Sequence, residues 1–188
     1  MYHKGKFTDI KHPEKYVGDK ANIIYRSHWE RNVMRWLDGN ELVVEWASEE
    51  IAIPYEHPIY QKRHKYYPDF YIKFKDGSVK VIEVKPEIQT KKPEKPKSQR
   101  KTSRYVNEMI TYTINMSKWA KAMEVSKRND FIFEIWTEKT LKEMGILNWE
   151  TDKTKLLKES TKSKKPKFVD IFKSAKTKAK RPRPKRKS

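Results

Sequence analysis

The sequence has no cysteine, which excludes a disulfide framework and any zinc–thiolate site. Its five histidines, His3, His12, His28, His57 and His64, have no metal-ligand spacing and read as surface or turn residues. No apolar run approaches the roughly 20 residues of a membrane-spanning helix. No N-terminal stretch has the form of a signal peptide. A cytoplasmic protein with no membrane and no nucleotide cofactor is expected. Acidic residues are outnumbered: 25 Asp and Glu stand against 44 Lys and Arg, a net charge of +19.

What is present suffices for one ordinary domain with extensions, since the chain has 188 residues. Aromatics make up 12%, enough for a core, and charged residues 37%, well above the usual quarter. The charge is uneven. Residues 151–188 hold 16 Lys and Arg and 3 Asp and Glu, which is +13 of the total. Such a segment favours a polyanion, DNA or RNA, and it is too charged to bury a core of its own. The expected organisation is an arm over residues 1–25, a core over 26–150 containing a basic loop at 86–104, and a disordered Lys/Arg-rich tail over 151–188. The apolar island Phe168–Phe172 is either a docking motif or incidental.

The most informative stretch runs from Tyr67 to Lys85. Two alternating arms, Tyr67–Phe74 and Val79–Lys85, flank Asp76-Gly77, a strong hairpin signal. Side chains on a strand repeat every two residues, so Glu83 and Lys85 share a face. A two-residue turn would set Asp69 opposite Val84, on the other face. A three-residue loop Asp76-Gly77-Ser78, pairing Lys75 with Val79, restores Asp69 to the face of Glu83 and is the register expected. Pro68-Asp69, a spacer and Glu83-x-Lys85 resemble the PD-(D/E)xK nuclease superfamily. That resemblance implies phosphodiester hydrolysis, which needs a divalent ion to offset phosphate charge and activate water. Mg²⁺, with Mn²⁺ as substitute, prefers carboxylate oxygen, which Asp69 and Glu83 supply. Lys85 then orients the water or steadies the developing negative charge. Taken alone, the short motif is degenerate: an Asp after Pro also suits a turn, and Glu-x-Lys an exposed strand face.

Other segments follow in order. Ser27–Asp38 is an amphipathic helix opened by a Ser27-x-x-Glu30 capping box and closed at Gly39. Glu30 falls inside its apolar arc, with Arg31, Arg35 and Asp38 opposite. Glu30 is either the reciprocal cap or a third acidic residue aimed at Asp69 and Glu83. Strands are expected at Glu41–Trp46 and at Glu49–Tyr55, the latter interrupted at Pro54. The polar segment 56–66 carries Lys62, Arg63 and Lys65, as a solvated loop or a phosphate contact. The extended loop 86–104 carries Lys91, Lys92, Arg100, Lys101 and Arg104, well placed to embrace a nucleic-acid backbone. Arg104–Arg128 is helical, with a possible break near Asn115 and a core stripe of Met109, Tyr112, Met116, Trp119 and Met123. A strand Phe131–Trp136 and a short helix Glu138–Met144, capped by Thr137 and stopped by Gly145, complete the core.

Several of these pieces occur together: Tyr25-Arg26-Ser27-x-Trp29-Glu30, Glu45-Trp46-x-Ser48-Glu49, Ile53-Pro54-Tyr55, Tyr67-Pro68-Asp69-Phe70, Glu83-Val84-Lys85-Pro86, and Phe133-x-Ile135-Trp136-Thr137-Glu138 with Gly145-Ile146. Over roughly residues 1–147 they resemble the head completion nucleases of contractile-tailed bacteriophages, similar in design to transposon-end-cutting endonucleases with a Glu, Asp, Lys site. The resemblance implies an α/β fold of restriction-endonuclease type, a mixed sheet flanked by helices. It implies a Mg²⁺-dependent nuclease with catalytic positions Glu30, Asp69, Glu83 and Lys85, the three carboxylates holding the metal. It also implies double-stranded DNA and phage head or portal proteins as partners, in the host cytoplasm during assembly or in the virion. The other reading is a DNA-binding plug or adaptor that keeps the nuclease-like core as scaffold.

Overall fold

A computed structural model describes residues 4–96 and 102–147. In chain order the elements are β1 (Gly5–Lys6), β2 (Ile24–Tyr25), α1 (His28–Gly39), β3 (Val43–Ser48), β4 (Ile53–His57), β5 (Lys62–Tyr66), β6 (Phe70–Phe74), β7 (Val79–Val84), α2 (Glu87–Thr90), α3 (Ser103–Ser126), β8 (Ile132–Trp136) and α4 (Glu138–Glu143). The central sheet has the order β3-β6-β7-β8. The β3–β6 and β6–β7 pairs are antiparallel, and β8 runs parallel to β7. A parallel neighbour requires a long crossover, and α3 lies in it. The α/β class with a mixed sheet and flanking helices is as the sequence indicates. The tail 151–188 and the island at 168–172 lie outside the described residues.

Strand alternation sorts the sheet into two faces. Phe70, Ile72, Ile82, Val84 and Trp136 join Val33, Met34, Trp36 and Leu37 of α1 and Leu141 of α4 in the larger core. A bulge between Val43 and Glu45 lets Val43 and Trp46, three residues apart, both face this core. Trp46 meets Tyr16 and Phe7 edge-on, with centroids at 4.7 and 6.1 Å. The arm is thus part of the core: β1 pairs with β2, and Phe7, Tyr16 and Ile23 are buried. Asp38 is buried too, although the helix pattern alone puts it on the polar side. Its carboxylate accepts hydrogen bonds from the Lys11 and His12 amides at 2.8 and 2.9 Å. The arm covers that side of the helix and supplies the partners a buried carboxylate needs.

The opposite face is covered by α3 and the β4–β5 hairpin, which share a second cluster of Ile53, Tyr55, Tyr66, Trp119 and Ala122. Several expectations are corrected here. Asn40 accepts from the Leu42 amide in a turn, so β3 starts at Val43 and not at Glu41. Pro54 does not interrupt its strand; β4 is an edge strand of a two-stranded ribbon, where a missing N–H is tolerated. The polar segment 56–66 is a hairpin, with Lys62, Arg63 and Lys65 exposed on β5. Arg104 lies in α3, not in the loop. The helix α3 is unbroken at Asn115, and its buried face is Asn115, Trp119 and Ala122, whereas Met116 and Met123 are 42% and 47% exposed. The stripe holds in part, since Trp119 is buried and Met109 and Tyr112 are half-buried, but the packed face is centred further round, toward Asn115 and Ala122. That face packs on Ile53, Tyr55 and Tyr66 of the β4–β5 hairpin and on Phe133 and Ile135 of β8, beside the end of the sheet that carries Asp69 and Glu83.

Candidate active site

The β6–β7 hairpin sets the site. Its loop is three residues long, as expected, but it comprises Lys75-Asp76-Gly77. The Phe74 amide donates to Ser78 O and the Gly77 amide to Phe74 O, both at 2.9 Å. Gly77 sits at φ +81°, and it alone in the loop tolerates that left-handed position at little cost. The ladder is therefore Phe70 with Ile82 and Lys73 with Val79, two residues away from the expected register but of the same parity. Continued by one residue, it sets Asp69 beside Glu83, on one face.

Asp69 Oδ2 accepts from the Val84 amide at 2.6 Å. Glu83 is 4% exposed. It accepts from the Tyr66 hydroxyl at 2.7 Å through Oε2, and it pairs through Oε1 with Lys85 Nζ at 3.0 Å. Burial, Glu83 and Glu30 together hold the Asp69 carboxyl well above its usual range, against the opposing pull of Lys85 and the Val84 amide. Burial pulls Lys85 down, but Glu83, Asp69 and Glu30 outweigh it and leave the ammonium raised. Burial and the neighbouring Glu83 also raise the Tyr66 phenol, so it stays a donor.

Glu30 has both features that the sequence left open. Its Oε2 accepts from the Arg26 amide at 2.6 Å and its Oε1 from the Ser27 hydroxyl at 2.9 Å, while Ser27 Oγ accepts from the Glu30 amide at 3.1 Å. This is a reciprocal cap. Its charge nonetheless acts on both Asp69 and Lys85. Arg26 also grips Glu49 in a two-pronged pair at 2.7 and 2.8 Å, and the Glu49 amide donates to Asp69 O at 3.2 Å. The start of α1 is thereby tied to the start of β6. Among the described residues no three carboxylate or imidazole side chains converge as a ready-made cation site. The chemistry of the donor set still fits a hard divalent ion. Asp69 is held against its own ionisation by burial and by adjacent acids, a repulsion that a cation relieves, and Mg²⁺ keeps several waters and needs few protein ligands.

Two residues of this cluster escaped the sequence reading. Tyr66 lies in a segment that is polar by composition, yet it ends β5 and is buried. Lys118 of α3 lies over the Tyr66 and Tyr55 rings, 5.7 and 5.9 Å from their centroids. A helix phase centred on Asn115, Trp119 and Ala122 puts Lys118 at the edge of the inward face. The expected basic contacts are dispersed. Lys91 pairs with Glu87 at 2.6 Å and Arg104 with Glu108 at 2.8 Å, Lys92 is exposed, and Arg100 and Lys101 lie outside the described residues.

A carboxylate pair and an ammonium thus lie together at the end of a hairpin within a mixed α/β sheet, and the chain belongs to the TnsA-like endonuclease N-terminal family, which matches residues 40–138. The match includes Asp69, Glu83 and Lys85 and leaves Glu30 outside. Along its length the chain is also 35% identical, over 148 residues, to the head completion nuclease of Enterobacteria phage T4; the alignment covers 78% of this chain and 98% of that protein.

Proposed function

We propose that this protein is a Mg²⁺-dependent DNA endonuclease that hydrolyses phosphodiesters of packaged DNA during phage head completion, before the tail joins. The observation that carries this reading is the Asp69–Glu83–Lys85 cluster, a set of opposed charges confined at one end of the sheet. Asp69 and Glu83 would hold the ion, with Glu30 joining them directly or through water; the ion, when bound, supplies charge neutralisation for the phosphate and acidifies water. Tyr66 fixes the Glu83 carboxylate by donating to Oε2. The raised pKa of Lys85 supports a charged role: its ammonium steadies negative charge developing on the phosphate and is a poor proton acceptor at neutral pH.

The substrate would reach this site over a basic surface. Lys62, Arg63 and Lys65 of β5, together with Lys92, are exposed and available for phosphate contact. Exposed pairs such as Lys91–Glu87 and Arg104–Glu108 are worth little and open readily toward a polyanion. Double-stranded DNA and the head or portal proteins are the proposed partners, in the host cytoplasm and the virion. Among the described residues no helix is long and apolar enough to cross a membrane. Engagement of Glu30 in its cap favours the second reading, a DNA-binding plug without catalysis. Plasmid nicking separates them. The nuclease reading expects Mg²⁺-dependent relaxation of supercoiled plasmid, lost with chelator and in Asp69→Asn. The plug reading expects binding with no cleavage under either condition.

A further inference from the structure

The site contains a second ammonium that the motif does not account for. Lys118 projects from α3 toward the sheet face that carries Asp69, Glu83 and Lys85, and its charge interacts with all three. Its position is fixed from both sides. Asn115, Trp119 and Ala122 anchor the phase of the helix, and Ser117 Oγ donates to Glu56 O at 2.9 Å, tying α3 to β4. The ammonium rests over the faces of Tyr66 and Tyr55, and Tyr66 in turn donates to Glu83. Among the described residues Lys118 forms no ion pair. A half-buried cation with only aromatic faces against it is stabilised modestly, by about 0.5–2 kcal/mol, and has donors to spare. Burial and the neighbouring Lys85 disfavour its charge, against the pull of Glu83 and Asp69. An entering anion satisfies all of this at once.

We propose that Lys118 is a catalytic residue of the nuclease site, its ammonium contacting a non-bridging oxygen of the DNA phosphate under attack. The two tyrosine rings act as its seat and Lys85 as the other cationic contact of the same phosphate. The inference rests on the nuclease reading and adds a residue to it that lies some thirty positions beyond the motif. Its chemistry is that of electrostatic stabilisation: a preset donor aimed at charge that grows in the transition state contributes to turnover more than to ground-state affinity.

The test uses the full chain and its Lys118→Met and Lys118→Arg variants, Met keeping the length and the aromatic contact. Single-turnover nicking of supercoiled plasmid with Mg²⁺ is expected to fall roughly a hundredfold in Lys118→Met and to recover most of that loss in Lys118→Arg. Duplex affinity measured with chelator present is expected to stay within about threefold, and the melting temperature within about two degrees. Nicking by Lys118→Met at the parental rate, with the parent active, overturns this inference and leaves the nuclease reading standing. A rate loss matched by lost affinity or lost folding, unrelieved by Arg, also overturns it and assigns Lys118 to packing. No Mg²⁺-dependent nicking by the parent overturns both.

Discussion

The two faces of the central sheet are built from the same strands, and both are packed, but they treat buried charge differently. On the face under α1, α4 and the arm, Phe70, Ile72, Ile82, Val84 and Trp136 meet apolar partners, and the buried carboxylate at its margin, Asp38, is satisfied by two amides. On the face under α3, the next residues along the same strands are Asp69 and Glu83, with Lys85 just beyond. Their charges are crowded there, and the Asp69 carboxyl is pushed up by burial and by two acids. Both faces gain stability from apolar burial, the second through Ile53, Tyr55, Trp119, Phe133 and Ile135. At one end the second face also holds groups that burial opposes, the arrangement expected where a site is organised for a charged ligand.

If that contrast holds, substitutions on the two faces have opposite consequences. The largest effect is expected for Asp69→Asn and Glu83→Gln, which should reduce cleavage by at least a thousandfold without loss of duplex affinity or of the fold. Parental cleavage by either variant breaks the assignment. Leu37→Ala, on the other face and fully buried, should cost about 2–5 kcal/mol of stability, read by denaturant titration, with the rate per folded molecule unchanged.

The pH dependence of stability sharpens the same contrast. A carboxyl whose folded pKa lies above its unfolded value binds its proton more tightly when folded, so the folded state is favoured at low pH. That advantage is lost as pH rises from about 4, the unfolded value, through the raised folded value of Asp69. Metal-free parent protein should therefore lose stability over this window. Asp69→Asn should flatten the loss and melt higher than the parent at neutral pH. A parallel pH profile for the two proteins contradicts the crowding of charge at Asp69.

Smaller effects discriminate roles at the margin. Glu30→Gln keeps the shape of the cap and removes the charge felt by Asp69 and Lys85. As a mere cap it should cost about 1 kcal/mol or less with cleavage intact; as a metal ligand it should lose cleavage at least tenfold with little change in stability. Reversing Lys62 and Arg63 of β5 to Glu should weaken binding to every sequence alike and reduce the salt dependence by about 0.9 per lost phosphate contact. Removal of residues 151–188, which hold +13 of +19, should flatten the salt slope further while cleavage at low salt survives.

Much of the scaffold was legible in the sequence because local chemistry fixes it. Ser27 and Glu30 form the cap they spell out, Gly77 fixes the hairpin loop, and Gly145 at φ +75° ends α4, where the Ile146 amide bonds to Leu141 O at 2.8 Å. Parity of the β6–β7 ladder followed from the need to keep Asp69 and Glu83 on one face, although the loop's position did not. What the sequence concealed was tertiary. The segment 56–66 is polar, yet it pairs with β4 and ends in the buried Tyr66. In α3, apolar periodicity placed Trp119 correctly but centred the face on the methionines. Asn115 and Ala122, which apolar periodicity does not weight, are buried beside Ile53, Tyr55 and Tyr66, while Met116 and Met123 remain outside. Nor does a local pattern reveal how Asp38, on the polar side of α1, comes to be buried by an arm reaching back from residues 11 and 12.

The most direct measurement of whether the charged face awaits a cation is the melting temperature of parent and Asp69→Asn proteins across a Mg²⁺ titration at neutral pH. A ligand that binds the folded state raises stability with its concentration. The parent should start lower and rise with Mg²⁺, and Asp69→Asn should start higher and stay flat. An equal rise in both proteins, or none in the parent, contradicts a divalent-ion site at Asp69 and Glu83.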